Sequence, residues 1–295
     1  MLSTTQKIKY FLNSALRYFE EVRCTYCGNT NCYEIDRKYF FTRLYGCSNC
    51  HLYFRFPVEK DDQNKKFYQS EYIEKDKITT DLPSMEELQN LMSNRFIDGN
   101  KNADRYIRLF NSLSLDSKKS KVVDYGCSWG YTSWQIKNAG FDVQSFEISV
   151  PRAEFGKRNL QLDILTSEDG IIRGNDIFFS SHVIEHHPNL QAMFKLGKSV
   201  LSNGGFFIAV CPNGSDAYRI NHQLNFHLCW GKVHPNYLNA EFYKKVFENN
   251  PYYIGTSPIN FDNINLENIN KQYIDDLSGE ELIIIAKINS QLAMP

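Results

Sequence analysis

Four cysteines set the first chemistry. Cys24-x-x-Cys27 is followed, after nineteen residues, by Cys47-x-x-Cys50. Each pair fits a tight knuckle whose backbone amides can bond thiolate sulfur. Two knuckles supply four thiolates to one tetrahedral ion, and such a closed site is structural. The spacing predicts a zinc ribbon. A redox dithiol is the competing chemistry. Cys32 is a spare cysteine in the same stretch, and Cys127, Cys211 and Cys229 are scattered and expected to carry no metal.

The second constellation is His182-x-x-Glu185-His186-His187. Glu185 and His186 lie three and four residues beyond His182, so on a helix the three share one face. A neutral imidazole at His186 or His182, with Glu185 beside it, suits removal of a proton from a substrate hydroxyl. The same His182, Glu185 and His186 can instead hold a divalent metal, with His234 able to complete the set. The plainest reading is a capping cluster that orders the loop. A further group, His222, His227 and His234 with Tyr218, Trp230 and Tyr237, falls in an insertion that either shapes a substrate pocket or forms an aromatic lid.

The third constellation is a turn. Lys121-Val122-Val123-Asp124 reads as a short strand, and it enters Gly126-x-x-x-Gly130 ahead of a helix. Gly126 allows the sharp turn, and Gly130 lets backbone approach a ligand. A dinucleotide needs G-x-G-x-x-G, whereas this loop carries Ser128 and Tyr131 at the second and third glycine positions. Asp124 would repel a phosphate. It suits a cofactor with a cationic end, such as the ammonium and sulfonium of S-adenosylmethionine. Glu147, 23 residues past Asp124 at the end of the next strand, can accept both hydroxyls of a ribose.

The elements that must position these groups alternate along the chain. Helices are expected over 103–113, 131–139, 151–160, 190–201 and 240–249. Strands are expected over 121–124, 141–148, 163–165, 176–181, 205–210, 252–259 and 281–288. This pattern predicts an α/β, Rossmann-like sheet of seven strands, mostly parallel, with helices on both faces and an antiparallel edge pair. In front of it stand an amphipathic helix (1–22), the small zinc ribbon (23–58) and a polar linker with a helical lid (59–99); the main domain is 100–290. Pro83-Ser84-Met85-Glu86-Glu87 reads as a helix start.

At this point a resemblance is visible. Residues 100–290 resemble class I S-adenosylmethionine-dependent methyltransferases in Val123–Gly130, Glu147, Asp176-Ile177-Phe178-Phe179, His182–His186, Gly204-Gly205, Pro212-Asn213 and His234. The resemblance implies that Asp124, Gly126, Ser128, Gly130 and Tyr131 hold the methionine end, Glu147 the ribose, and Ser167-Glu168 the adenine flank, with Ser181 also at the cofactor. Ser128 departs from the glycine common in the family. A Glu-x-x-Glu-His metal cluster of similar form occurs in ubiquinone-biosynthesis and small-RNA 2′-O-methyltransferases; His182 replaces its first glutamate here. The ribbon running into Leu52-Tyr53-Phe54-Arg55-Phe56-Pro57, with Tyr68 and Tyr72 after it, resembles the N-terminal module of bacterial sugar and polysaccharide-biosynthesis methyltransferases. It implies a small or sugar-based acceptor, such as a nucleotide-linked or glycan sugar, and the histidines tilt the acceptor atom toward oxygen.

Bulk properties narrow the classes. With 33 Lys+Arg against 34 Asp+Glu the net charge is −1, which gives no footprint for a long nucleic acid. An RNA methyltransferase that grips RNA through the ribbon, using Lys38, Arg43 and Arg55, is the second hypothesis, and a non-catalytic scaffold the third. No apolar run approaches the ~20 residues that span a bilayer. No signal-peptide core is evident, so the expected location is the cytoplasm. Oligomeric state is not readable from the sequence.

Overall fold

Short runs such as Lys121–Tyr125 and Asn175–Ser181 are rich in β-branched and aromatic residues that lie buried along their length. Only a sheet covered on both faces can hide such runs. The computed structural model describes residues 12, 15–58, 81–97, 99–113, 120–231, 233–258, 264 and 269–289. The N-terminal amphipathic stretch lies largely outside them, and Tyr68 and Tyr72 wholly so.

Strands β1 (Cys32–Lys38), β2 (Thr42–Cys47) and β3 (Tyr53–Phe56) belong to the cysteine region. Helices α1 (Met85–Ser93) and α2 (Asp104–Ser112) precede the main sheet. Ser84 caps α1 by accepting from the Glu87 amide at 3.2 Å, as the helix-start signal predicts. Then come β4 (Lys121–Tyr125), α3 (Tyr131–Asn138), β5 (Asp142–Phe146), α4 (Val150–Leu160), β6 (Ile164–Leu165) and β7 (Asn175–Ser181). The chain continues through α5 (Leu190–Val200), β8 (Leu201–Pro212), α6 (Asp216–Asn221), α7 (Gln223–Cys229) and β9 (Asn236–Tyr237). It closes with α8 (Ala240–Val246), β10 (Tyr252–Thr256), β11 (Gln272–Ile274) and β12 (Glu281–Lys287).

The main sheet runs β11-β10-β12-β8-β7-β4-β5-β6. Strands β4 to β8 pair in parallel, and β12 is antiparallel to both β8 and β10. This is a Rossmann-like α/β fold. The seven expected strands are present, and the three-residue β11 adds an eighth at the edge. The closing pair is antiparallel as expected, but β12 lies inside the sheet rather than at its rim.

A second sheet, β1-β2-β3-β9, joins the cysteine region to the insertion after β8, because β9 pairs with β3. The segment after β7 does not form a helix on which His182, Glu185 and His186 would share one face. His182 is left-handed at φ 54°, and only Ile184–His186 form a 3-10 turn. Pro188 explains the brevity, since a proline disfavours helical backbone in the residue before it.

Candidate functional site

The parallel strands end together at one edge. Because β12 runs the other way, its first residue, Glu281, lies there too, opposite Pro212. Such an edge is where ligands bind in open α/β sheets.

The loop after β4 is held by the neighbouring strand: the amides of Gly126 and Cys127 both donate to the Phe146 carbonyl, at 2.8 and 2.9 Å. Gly126, Ser128 and Gly130 are left-handed, at φ 83°, 55° and 86°. A Cβ on Gly126 would lie 2.3 Å from Val183 Cγ2, so the loop is packed against the histidine turn. Asp124 is 3% exposed and accepts from Ser133 Oγ at 2.6 Å. Burial pushes its carboxyl up to about 7; the Ser133 hydrogen bond opposes this, and nearby Glu147 adds to it. Glu147 accepts from the Ser128 amide at 2.9 Å and the Ser149 amide at 2.7 Å, and burial raises its pKa. Tyr131 opens α3 beside Trp129, their rings 5.0 Å apart. Ser181 meets the Tyr106 hydroxyl at 3.0 Å. Tyr125 donates to Glu168, and the Ser167 hydroxyl accepts from the Asp169 amide at 3.4 Å.

These groups fit S-adenosylmethionine. Two buried carboxylates end adjacent strands, each with lone pairs left for an ammonium or a diol. The Ser128 hydroxyl is buried with no hydrogen-bond partner, a polar atom left over at the loop. The same carboxylates would oppose a pyrophosphate.

On the other side of the loop the histidines divide. His182 Nε2 lies 2.8 Å from Glu281 Oε1 and its Nδ1 lies 3.5 Å from Glu185 Oε1. Burial works against charge on His182, but the two carboxylates outweigh it and raise its pKa to about 10. Arg105 grips Glu281 from behind, Nη1 to Oε2 at 2.8 Å. His186 donates from Nδ1 to the Val233 carbonyl at 2.6 Å, and His234 from Nδ1 to the Cys229 carbonyl at 2.7 Å. Both bonds select the tautomer with the lone pair on Nε2. His186 is pulled down to about 4, chiefly by burial. Glu185 is 1% exposed, and neither of its oxygens makes a hydrogen bond. Ligand atoms of Glu185, His186 and His234 lie within 4.8 Å of one another. Of the residues expected to be able to hold a metal, Glu185, His186 and His234 come together, while His182 lies against Glu281 at 2.8 Å. A cleft of about 470 Å³ opens alongside, lined by His182, Pro212, Glu281 and, from the insertion, Tyr218 and Leu228.

Sequence reasoning missed Arg105, Tyr106 and Glu281. An available signal was the antiparallel direction of the last strand, which puts Glu281 at the ligand edge.

The four cysteines of the ribbon do converge. Cys24 and Cys50 sulfurs are 3.4 Å apart, those of Cys27 and Cys47 3.5 Å, and all four lie within 4.8 Å of one another. A tetrahedron with Zn–S of about 2.3 Å has edges of about 3.8 Å, so the set fits zinc. Cys32, Cys127, Cys211 and Cys229 belong to neither metal-competent group among the described residues.

No protein-family model matches the chain, and no curated protein matches it. Solved structures similar to it include the magnesium protoporphyrin IX methyltransferase of Synechocystis PCC 6803 with bound SAH. That structure is 11% identical, at TM-score 0.49, over 78% of this chain and 100% of that one. Another is a SAM-dependent methyltransferase from Archaeoglobus fulgidus, 17% identical at TM-score 0.46 over 67% of this chain and 99% of that one. Strand order and direction, rather than these distant likenesses, define the fold. No described helix is long and apolar enough to cross a membrane.

Proposed function

We propose that the chain is an S-adenosylmethionine-dependent methyltransferase acting on a hydroxyl of a small or sugar-based acceptor. The observation that carries this is the pair of buried carboxylates, Asp124 and Glu147, at adjacent strand ends around a left-handed loop with an unpartnered Ser128 hydroxyl. When bound, the cofactor supplies a methyl group activated by a sulfonium leaving group. Asp124 holds the ammonium end, and Glu147 the ribose. Tyr131 and Ser181 flank the cofactor. His186, neutral at pH 7, takes the acceptor proton on Nε2, and the Glu185 carboxylate, 3.8 Å from it, stabilises the imidazolium as it forms. His182, held between Glu185 and Glu281, is the cationic member of the cluster and orients Glu185.

A second reading of the same cluster is favoured by one observation: a buried glutamate, with His182 Nδ1 3.5 Å from its Oε1, also faces two imidazoles of fixed tautomer. Glu185, His186 and His234 would then hold a divalent cation that polarises the acceptor oxygen. The RNA hypothesis gains no support from the ribbon's basic residues. Lys38 binds the Trp230 carbonyl and lies 4.4 Å over its ring; Arg43 donates to the Tyr18 carbonyl at 3.0 Å; Arg55 is 1% exposed.

Calorimetric titration with S-adenosylhomocysteine, followed by tritium transfer from labelled cofactor to nucleotide sugars, glycans and RNAs, tests the proposal. Saturable binding that Asp124→Asn weakens, and label on a sugar hydroxyl, are expected. No binding would sink the cofactor assignment, and label on RNA alone would sink the acceptor class. Metal analysis of His234→Ala separates the two readings: loss of a second equivalent of metal favours the cation, unchanged metal and transfer the base.

A further inference from the structure

The ribbon and the histidine turn meet at one side chain. Asn236 is 3% exposed. Its backbone lies in β9, opposite Phe54 of β3. Its amide nitrogen donates to the carbonyls of His187 at 2.8 Å and Glu185 at 3.4 Å. Its amide oxygen accepts a long hydrogen bond, 3.5 Å, from Thr25 Oγ1 inside the Cys24–Cys27 knuckle.

The loop carrying His234 is tied to the same ribbon. The Arg55 amide donates to the Pro235 carbonyl at 2.8 Å, and its guanidinium to the Gly231 carbonyl at 3.1 Å. From β1, Asp36 Oδ2 accepts from His227 Nδ1 at 2.7 Å and Trp230 Nε1 at 2.8 Å. Tyr26, also within the knuckle, packs edge-on against Phe242 of α8 at 5.0 Å. A one-turn 3-10 segment satisfies few of its own carbonyls, so outside donors decide its position.

We propose that Asn236 is a positioning residue that couples the four-thiolate centre to the Glu185–His187 turn, with Arg55 doing the same for the His234 loop. On this view the ribbon serves the site as a clamp on its acceptor side. The inference rests on reading Glu185, His186 and His234 as that side, and on no property of the cofactor half.

The test uses the whole 295-residue chain, zinc-loaded and zinc-stripped under reducing conditions, and the Asn236→Asp variant, which keeps the side-chain shape but loses the N–H donor. Hydrogen exchange and the imidazole C–H resonances are followed, with S-adenosylhomocysteine affinity as the reference. Stripping is expected to speed exchange at 184–187 and 231–237 by about tenfold or more and to shift the His186 and His234 resonances. Exchange at 124–131 should rise less than at either of these segments, and the affinity should stay within about twofold. Asn236→Asp should reproduce the change at 184–187 with zinc still bound in full. Unchanged exchange at 184–187 in both cases overturns the proposal. So does a variant whose protection falls evenly across β4, β7 and β8, because that is general destabilisation. Failure of S-adenosylhomocysteine to bind would count against the methyltransferase reading, while the exchange pattern would still decide the coupling.

Discussion

In the proposed function Asp124 would meet two opposing demands: burial favours its neutral form, while a cationic ligand needs the carboxylate. With the pKa pushed up to about 7, binding below that pH must first release a proton. The sign follows from linkage: the ligand prefers the ionised form, so affinity rises with pH and levels off above about 7. Affinity for S-adenosylhomocysteine should fall about tenfold per pH unit between about pH 7 and 5. Asp124→Asn should bind weakly with a flat profile. Calorimetry across that window decides it, and a flat wild-type profile would remove Asp124 from the contact. Ser128 poses a different conflict. A left-handed serine costs about 1–2 kcal/mol, and a buried hydroxyl without a partner a further ~1–3. Glycine there returns only about 0.4–1 kcal/mol through added freedom of the unfolded chain. Ser128→Gly should therefore raise the melting temperature of the cofactor-free protein while weakening cofactor binding. A variant that gains stability and keeps its full affinity would show the hydroxyl to be idle.

Packing between elements explains a second glycine requirement. Gly156 lies in α4, where a Cβ would sit 2.6 Å from the Trp129 carbonyl oxygen and 2.5 Å from Ile164 Cδ1. Alanine would gain about 1 kcal/mol of helix propensity. Overpacking against backbone that cannot rotate away costs up to about 3 kcal/mol, so the clash wins. Gly156→Ala should lose about 1–2 kcal/mol by urea denaturation and loosen the 126–130 loop; a stabilised variant would mean the helix simply shifts. The glycine that lets a helix approach this loop is thus found on α4, not at Tyr131. Much at this scale is legible in the sequence because it is local. The cysteine pairs, the strand ending at Asp124 and the acid at Glu147 each depend on a few neighbouring residues. What depends on distant partners is not. Glu281 meets His182 and Arg105 only because β12 inserts between β8 and β10. The spacing of His182, Glu185 and His186 would put them on one face of a helix, yet the left-handed backbone at His182 and the nearby Pro188 leave one short turn. His234 joins them through the pairing of β9 with β3, which no local pattern announces.

Across the whole molecule the boundary between ribbon and main domain is poorly marked. Cys24, Cys47 and Cys50, with Leu52, Phe54 and Phe56, share one continuous apolar cluster with Val123, Phe178, Phe207 and Phe242 of the main domain. Elements that share a core and a sheet unfold together unless their interface is weak. The zinc-loaded protein should therefore melt in one calorimetric transition that includes the ribbon. Metal that binds only the folded form stabilises everything coupled to that form. A chelator under reducing conditions should thus lower the melting temperature of the entire molecule, with the loss of β-sheet circular dichroism and of near-ultraviolet aromatic signal coinciding. Because Tyr26 in the first knuckle packs on Phe242, part of the aromatic signal reports the ribbon itself. Two separated transitions, the first abolished by chelator and the second unmoved by it, would mean that the ribbon folds alone and that its contacts with the histidine loop are too weak to act as a clamp.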